Sequence, residues 1–282
     1  MSGVLDEEGA RSPIGEHARW GAIDRSGFPR PGDGGARPFV WAHRGASALE
    51  PENALRSFLT AADLGADGIE LDIQLTRDGV PLVVHDPMLW TDGEQLHLRR
   101  RPGQGPLRPL WVRDLEWADL SGAPVVWLDG LPEHLARLEE VIEAVPKWLW
   151  LDVELKAGWT YDRRLAEVFC RCVKGRAGRV LASSFDHVIL QDVAAVDPQI
   201  PLLAILHARP VDLEGVLESI PAVMTSIDRP FLTADDVRLW TDMGIEVSIG
   251  GAQLVPDLDT VLAWPVAGVF LDDPRLALPA KA

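Results

Sequence analysis

The sequence predicts an α/β chain folded as a closed (β/α)8 TIM barrel, and three observations carry that expectation. First, short apolar runs alternate with helical patterns from residue 39 to the C-terminus, at 39–43, 68–74, 81–85, 148–154, 179–183, 201–206, 222–226, 245–249 and 268–271. Alternating β and α segments make a parallel sheet. Second, one pair of runs breaks the alternation. Only the short link around Thr76-Arg77-Asp78-Gly79 separates 68–74 from 81–85, and a parallel crossover needs about ten or more. The pair is a hairpin turning at Asp78-Gly79, and a two-residue turn there sets residue 72 opposite residue 85, with Asp72 and His85 on one face. Third, removing the return strand leaves eight parallel strands, the number that closes a barrel with its reactive groups at the C-terminal strand ends.

Helices are expected at 53–64, 132–144, 162–174, 187–196, 212–219, 233–243 and 256–263. Gly65 closes the first, and Thr233 opens another ahead of acidic first-turn residues. Residues 87–131, rich in Trp, Arg, Pro and Gly, fit no barrel repeat and are expected to be an insertion near the reactive face. Their Arg99-Arg100-Arg101 run suits a solvated face first and an anionic substrate second. Residues 1–36 lack periodicity and are expected to be a flexible or wrapping tail, leaving 37–282 as one catalytic barrel domain.

Of 282 residues, 47% are hydrophobic and 25% charged, the mix of a soluble globular protein. A formal charge of −16 argues against nucleic acid, which needs a basic surface. No run approaches the ~18 apolar residues of a membrane span, so no stable membrane insertion is expected. The start carries Asp6, Glu7 and Glu8 and no apolar stretch, which points to the cytoplasm. Cys170 and Cys172, two apart in a helix, face different ways and are expected to be free thiols. Nothing in the sequence bears on oligomeric state.

Four strand ends are dense with ionisable groups: His43-Arg44, Glu70-Leu71-Asp72, His85-Asp86 and Glu154-Leu155-Lys156. Glu70 and Asp72, two apart on a strand, point the same way into the barrel mouth. With Glu154 from the next parallel strand they make an oxygen-ligand set for a hard cation, Mg²⁺ or Ca²⁺. Ion pairs with Arg44 and Lys156 alone would leave three inward carboxylates facing two cations. Of seven histidines, His43 and His85 sit beside these clusters; His17, His97, His134, His187 and His207 fall in tail, loop or helix contexts. Two histidines suit phosphodiester cleavage, one deprotonating the attacking oxygen and the other protonating the leaving alcohol. The metal, Arg44 and Lys156 would stabilise the added charge.

These segments resemble the glycerophosphodiester phosphodiesterase family. The family's successive motifs are matched in order and spacing by His43-Arg44-Gly45, Pro51-Glu52-Asn53, Gly65-Ala66-Asp67, Glu70-Leu71-Asp72, Thr76-Arg77-Asp78-Gly79 and His85-Asp86. Six motifs in register form a far stronger signal than any one of them. Glu154-Leu155-Lys156, Ser183-Ser184-Phe185 and 270–274 extend the likeness over nearly the whole barrel.

The resemblance implies a phospholipase-C-like phosphodiesterase barrel that cleaves a small-molecule glycerophosphodiester to sn-glycerol 3-phosphate and an alcohol. It implies Glu70, Asp72 and Glu154 as ligands for Ca²⁺ or Mg²⁺, and His43 and His85 as acid and base. Arg44 and Lys156 would contact phosphate. Glu52 and Asn53 would bind substrate or order the loop after the first strand, Asn53 alternatively serving the helix start. Two routes are open, attack by the neighbouring glycerol hydroxyl through a cyclic phosphate or direct attack by water. Two alternatives stand beside this function: a diesterase for another diester such as a lysophospholipid, with the Trp-bearing segment 88–127 shaping an apolar entrance, and a non-catalytic barrel that binds a phosphate ligand.

The chain departs from the family pattern at three places. Ile249-Gly250-Gly251 stands where a Trp-Thr pair is usual, Leu271-Asp272 replaces Ile-Thr, and Ala54 replaces Thr. None is a proposed acid, base or metal ligand. The expected consequence is a reshaped substrate pocket around 248–251.

Overall fold

Eight parallel strands close on themselves, and a ninth pairs antiparallel on the outside of one of them. The structure, a computed structural model, describes residues 37–98, 105–123, 125–126, 132–157, 161–176, 178–222, 224–252 and 258–279. In chain order the strands are β1 (Phe39–Ala42), β2 (Gly68–Leu75), β3 (Pro81–Val83), β4 (Met88–Thr91), β5 (Leu96–His97), β6 (Arg108–Trp111), β7 (Val125–Val126), β8 (Pro132–Glu133), β9 (Trp150–Leu155), β10 (Val180–Ser184), β11 (Leu202–Leu206), β12 (Met224–Asp228), β13 (Glu246–Gly250) and β14 (Gly268–Leu271). The helices are α1 (Leu55–Leu64), α2 (Trp117–Leu120), α3 (Leu138–Ala144), α4 (Arg164–Val173), α5 (His187–Val196), α6 (Leu213–Ser219), α7 (Ala234–Asp242) and α8 (Leu258–Leu262). Around the barrel the order is β1, β14, β13, β12, β11, β10, β9, β2, and β1 pairs with β2 to close the ring.

Strand alternation sorts the side chains into two cores. Residues such as Ala42, Ile69, Leu71, Val153, Val247 and Val269 point outward and pack against the helices. Phe39, Trp41, Trp150, Leu181, Leu203, Met224 and Phe270 point inward and plug the barrel. Trp41 is fully buried between two glycines on the flanking strands, Gly68 of β2 and Gly268 of β14. A Cβ at Gly68 would run into its six-membered ring, and one at Gly268 would lie 3.0 Å from its indole nitrogen. The floor beneath the mouth is therefore packed, and the space above it opens at the C-terminal strand ends.

Gly65 caps α1 in the left-handed conformation at φ 92°, and Thr233 accepts a hydrogen bond from the Asp236 amide to cap α7, both as the sequence predicts. Three boundaries differ. The hairpin pairs Ile73 with Val83 and Leu75 with Pro81, one residue out of the expected register. Its loop holds three residues, Arg77, Asp78 and Gly79, with Gly79 left-handed at φ 82° and Thr76 N–H donating to Val80 O. A three-residue loop of this kind closes on 76 and 80 rather than 77 and 80. Helix α1 begins at Leu55 rather than at 53, because Asn53 is itself left-handed at φ 59°. Helix α3 begins at Leu138 rather than at 132. The chain before it stays extended, with Pro132–Glu133 in β8 and Ala136 O accepting from Val83 N–H.

Described residues between 88 and 133 form a second sheet with strand order β6-β4-β5-β7-β8, its last strand lying just past the expected insertion. Its apolar residues, Leu89, Leu96, Val112, Leu120 and Val125, pack with Ala54, Leu82, Val84 and Leu135 beside the hairpin. Residues 1–36 and the Arg99–Arg101 run lie outside the described residues. Cys170 is buried and Cys172 half-buried, and both are free thiols. Burial, then Asp197, pushes Cys170 up to about 11; burial, then its hydrogen bond to Glu139, pushes Cys172 up to about 12. No described helix is long and apolar enough to cross a membrane.

Gly68→Ala tests the packed floor. The added methyl meets the buried Trp41 ring and is expected to cost about 1–3 kcal/mol of stability by chemical denaturation. An unchanged unfolding midpoint would show that the ring has room to move.

Candidate active site

The register of β2 against β9 decides the centre of the mouth. It places Glu70 beside Asp152 and Asp72 beside Glu154, four inward carboxylates on two adjacent strands. All four are buried. Ligand oxygens of Glu70, Asp72 and Glu154 lie within 4.8 Å of one another, an arrangement able to hold a metal ion.

The two cations at hand do not balance this charge evenly. Lys156 Nζ lies 3.0 Å from Asp72 Oδ1 and 2.7 Å from Glu154 Oε1. Arg44 Nε lies 3.4 Å from Asp72 Oδ2, and its Nη1 3.1 Å from Glu52 Oε1. Burial alone would raise Asp72, but Lys156, then Arg44 and His85, hold it well below the usual carboxylate range. Glu70 receives only the Arg44 amide, at 2.9 Å, and His43 Nε2 at 4.0 Å. Burial, then Asp72, pushes it up to about 8. Burial also raises Glu154 and lifts Asp152 well above its ordinary value. The close Arg and Lys ion pairs serve Asp72 and Glu154, and Glu70 has only the more distant His43 ring among the ion pairs of the described residues. A hard cation with oxygen preference fits the donor set.

The two histidines enter from different strands with matching support. His43 Nδ1 lies 2.6 Å from Asp272 Oδ1, and His85 Nδ1 lies 2.6 Å from Asp86 Oδ1. A carboxylate accepts only, so each Nδ1 carries the proton of that bond and each Nε2 is left for chemistry. Burial lowers the His43 pKa, but the Asp272 bond and Glu70 outweigh it and the net shift is upward. Asp272 and Asp86 were not assigned roles on sequence grounds. Both were visible as chain neighbours of strand-end motifs, Asp86 directly after His85.

A cavity of about 360 Å³ opens over this cluster, lined by His43, Arg44, Glu70, His85, Glu154 and Lys156 on one side. Its other side is lined by Phe185, Ile205, His207, Asp228, Gly250 and Gly251. His207, expected in a solvated or core context, is a cavity residue. It follows the last residue of β11, and its ring stacks on Phe185 at 4.0 Å. Its partner Asp228 comes from β12, at 3.2 Å, so no local sequence pattern marked the pair. Among the described residues, none of the second sheet lines this cavity, and those at 89–125 pack with the hairpin.

The family model for the glycerophosphoryl diester phosphodiesterase family matches residues 43–276. The glycerophosphodiester phosphodiesterase of Bacillus subtilis is 30% identical over 257 residues, 83% of each chain. The chain belongs to this family. A probable glycerophosphodiester phosphodiesterase of Mycobacterium tuberculosis is 30% identical over 251 residues, covering 82% of this chain and 86% of its own. Among solved structures, a phosphodiesterase of Oleispira antarctica in complex with the product sn-glycerol-3-phosphate superposes with a TM-score of 0.72. It shares 23% identity and covers 89% of this chain and 96% of that one, a likeness of fold.

In this family member the loop after β1 is held in two uncommon backbone conformations, Arg44 at φ 55° and Asn53 at φ 59°. Left-handed Arg is costly and persists only when its surroundings over-determine it. Here the Arg44 N–H donates to Glu70, and its carbonyl accepts from the Asn53 amide at 3.0 Å and from Ser57 Oγ at 3.0 Å. Asn53, which tolerates this conformation, then clasps Asp72. Its Nδ2 donates to Oδ2 at 2.8 Å, and its Oδ1 accepts from the Asp72 amide at 3.2 Å. Neither Glu52 nor Asn53 lines the main cavity; they reach it through Arg44 and Asp72.

Two variants separate the backbone and side-chain parts of this clasp. Asn53→Ala loses both and Asn53→Gly keeps the backbone freedom. Both are expected to lose about 1–3 kcal/mol of stability, with the alanine variant worse, because the Asp72 groups are left unsatisfied. Wild-type stability of Asn53→Gly in denaturant unfolding would show that the hydrogen bonds carry nothing.

Proposed function

We propose that the barrel mouth hydrolyses a glycerophosphodiester to sn-glycerol 3-phosphate and an alcohol. His43 and His85 act as the acid–base pair, and a divalent cation, Ca²⁺ or Mg²⁺, is held by Glu70, Asp72 and Glu154. The observation that carries this reading is the pair of histidines, each anchored through Nδ1 by an aspartate, on either side of a carboxylate set that its own cations leave unbalanced.

One unprotonated Nε2 accepts a proton from the attacking oxygen, of water or of the neighbouring glycerol hydroxyl, as that oxygen bonds to phosphorus; where glycerol attacks, water then adds to the cyclic phosphate and breaks its ring P–O bond to give sn-glycerol 3-phosphate. The other imidazole, protonated, gives its Nε2 proton to the departing alcohol oxygen as the P–O bond breaks. Asp272 and Asp86 hold the rings and stabilise whichever imidazole is charged, as a carboxylate does for a catalytic histidine elsewhere. Arg44 and Lys156, both lining the cavity, neutralise phosphate oxygens. A bound divalent cation supplies Lewis-acid stabilisation of the same oxygens. The chain would serve the turnover of small soluble phosphodiesters, consistent with a cytoplasmic enzyme of glycerol or lipid metabolism.

Release of sn-glycerol 3-phosphate from glycerophosphocholine is the measurement that checks this. EDTA is expected to abolish it and Ca²⁺ or Mg²⁺ to restore it. His43→Ala and His85→Ala are each expected to lower kcat by about 100-fold or more and to remove one limb of a two-limbed pH profile. Turnover indifferent to chelator and to both substitutions would overturn the assignment.

A further inference from the structure

The mouth divides into two halves of different chemistry. In the ring order, β9, β2, β1 and β14 carry Glu154, Glu70, Asp72, His43 and Asp272. At the C-terminal ends of the strands opposite, β10 to β13, stand Phe185 and His207, each just past its strand, and Asp228 and Gly250. None of the residues of this second half has a task in the proposed reaction.

Asp228 stands at the end of β12, diametrically across the ring from β2. His207 Nδ1 bonds its Oδ2, and no described residue donates to Oδ1. That oxygen faces Gly250, where a Cβ would lie 2.9 Å from it. Gly250 is not in the left-handed region. What glycine contributes there is space, and the space exposes the Asp228 carboxylate to the cavity. Ile205, with Phe270 of β14 at the border between the halves, gives this part of the cavity an apolar lining, and the stacked Phe185–His207 pair forms its aromatic wall. Among the described lining residues, the cations Arg44 and Lys156 are ion-paired with Asp72, Glu52 and Glu154, and the Lys156 ammonium, 5.9 Å from the Phe185 ring centroid, marks the inner edge of the aromatic wall. Arg229, next in sequence to Asp228, turns its guanidinium onto the Trp264 ring.

We infer that the Asp228 half of the cavity is the subsite for the leaving alcohol, and that it takes an alcohol bearing an ammonium group. The inference rests on the glycerophosphodiesterase reading, since the phosphate must lie at the histidine and carboxylate half for the alcohol to reach across. A carboxylate with one oxygen open to the cavity attracts the cationic head, and aromatic walls accommodate its methylene and methyl groups. The segment where this chain lacks the usual Trp-Thr pair is thus the one that uncovers the charge.

The test compares kcat/KM for two ammonium esters, glycerophosphocholine and glycerophosphoethanolamine, with two neutral ones, glycerophosphoglycerol and glycerophosphoinositol. Wild type is expected to favour the ammonium esters. In Asp228→Asn the ratio of ammonium to neutral kcat/KM is expected to fall about fivefold, the scale of a half-exposed charge contact. Asp228→Lys should invert the preference. In Gly250→Leu the side chain fills the space before Asp228, and the ratio should fall as in Asp228→Asn. Neutral-ester turnover by each variant shows that it is folded. A ratio near one in wild type, or one unchanged by the Asp228 substitutions, overturns the subsite while leaving the phosphodiesterase standing. If wild type with Ca²⁺ or Mg²⁺ cleaves none of the four esters, the phosphodiesterase reading fails and the subsite with it.

Discussion

The pairing of β2 with β9 is the constraint on which the site depends. It sets two carboxylates on each strand facing inward at the same depth, where water is scarce. Charge at that density is tolerated only if it is paired, protonated or bound to a cation. The structure uses the first two and prepares the third. Asp72 is paired with Lys156 and Arg44, and Asp152 is shifted far toward its neutral form. Burial raises Glu70 above the ordinary carboxylate range, and a cation bound beside it would favour its ionised form. The loop after β1 is shaped to the same end, since the Arg44 amide and the Asn53 side chain are spent on Glu70 and Asp72.

Much of this was legible in the sequence because barrel strands carry their chemistry at fixed parity. Glu70, Asp72 and Glu154 fall on inward positions, and His43 follows β1 at the mouth, so strand assignment alone nearly placed them. Errors arose where local geometry overrides pattern. The Asp78-Gly79 pair suggests a two-residue turn, yet the left-handed Gly79 closes a three-residue loop and shifts the register by one. His85 reaches the cavity all the same, because β3 ends at Val83 and the chain turns before it. Asn53 suggests a helix start, yet its side chain is committed to Asp72. The His207–Asp228 pair was invisible for a different reason: its members come from two strands and meet only through the β11–β12 pairing. The second sheet escaped because its strands are as short as two residues and take their core partly from the barrel's own hairpin.

The ring order also separates what must be fixed from what is free to differ. The groups proposed to handle phosphate gather around four adjacent strands, where backbone pairing and the packed Trp41 floor hold the strand ends to one geometry. The opposite strands end in side chains that bear no charge load from the carboxylate cluster, so glycine at 250 changes the pocket without disturbing the metal set. A barrel can in this way keep one reaction and vary the alcohol it releases.

In the proposed site Glu70, which has no close Arg or Lys partner among the described residues, completes a divalent-metal set with Asp72 and Glu154. Calorimetric titration of Ca²⁺ and Mg²⁺ into the metal-free protein and into its Glu70→Gln variant tests this most directly. The account predicts one site per chain in the wild-type protein and affinity lower by about tenfold or more in the variant, on the scale of losing a charged ligand. Equal binding by both proteins, or none by the wild type, would contradict it.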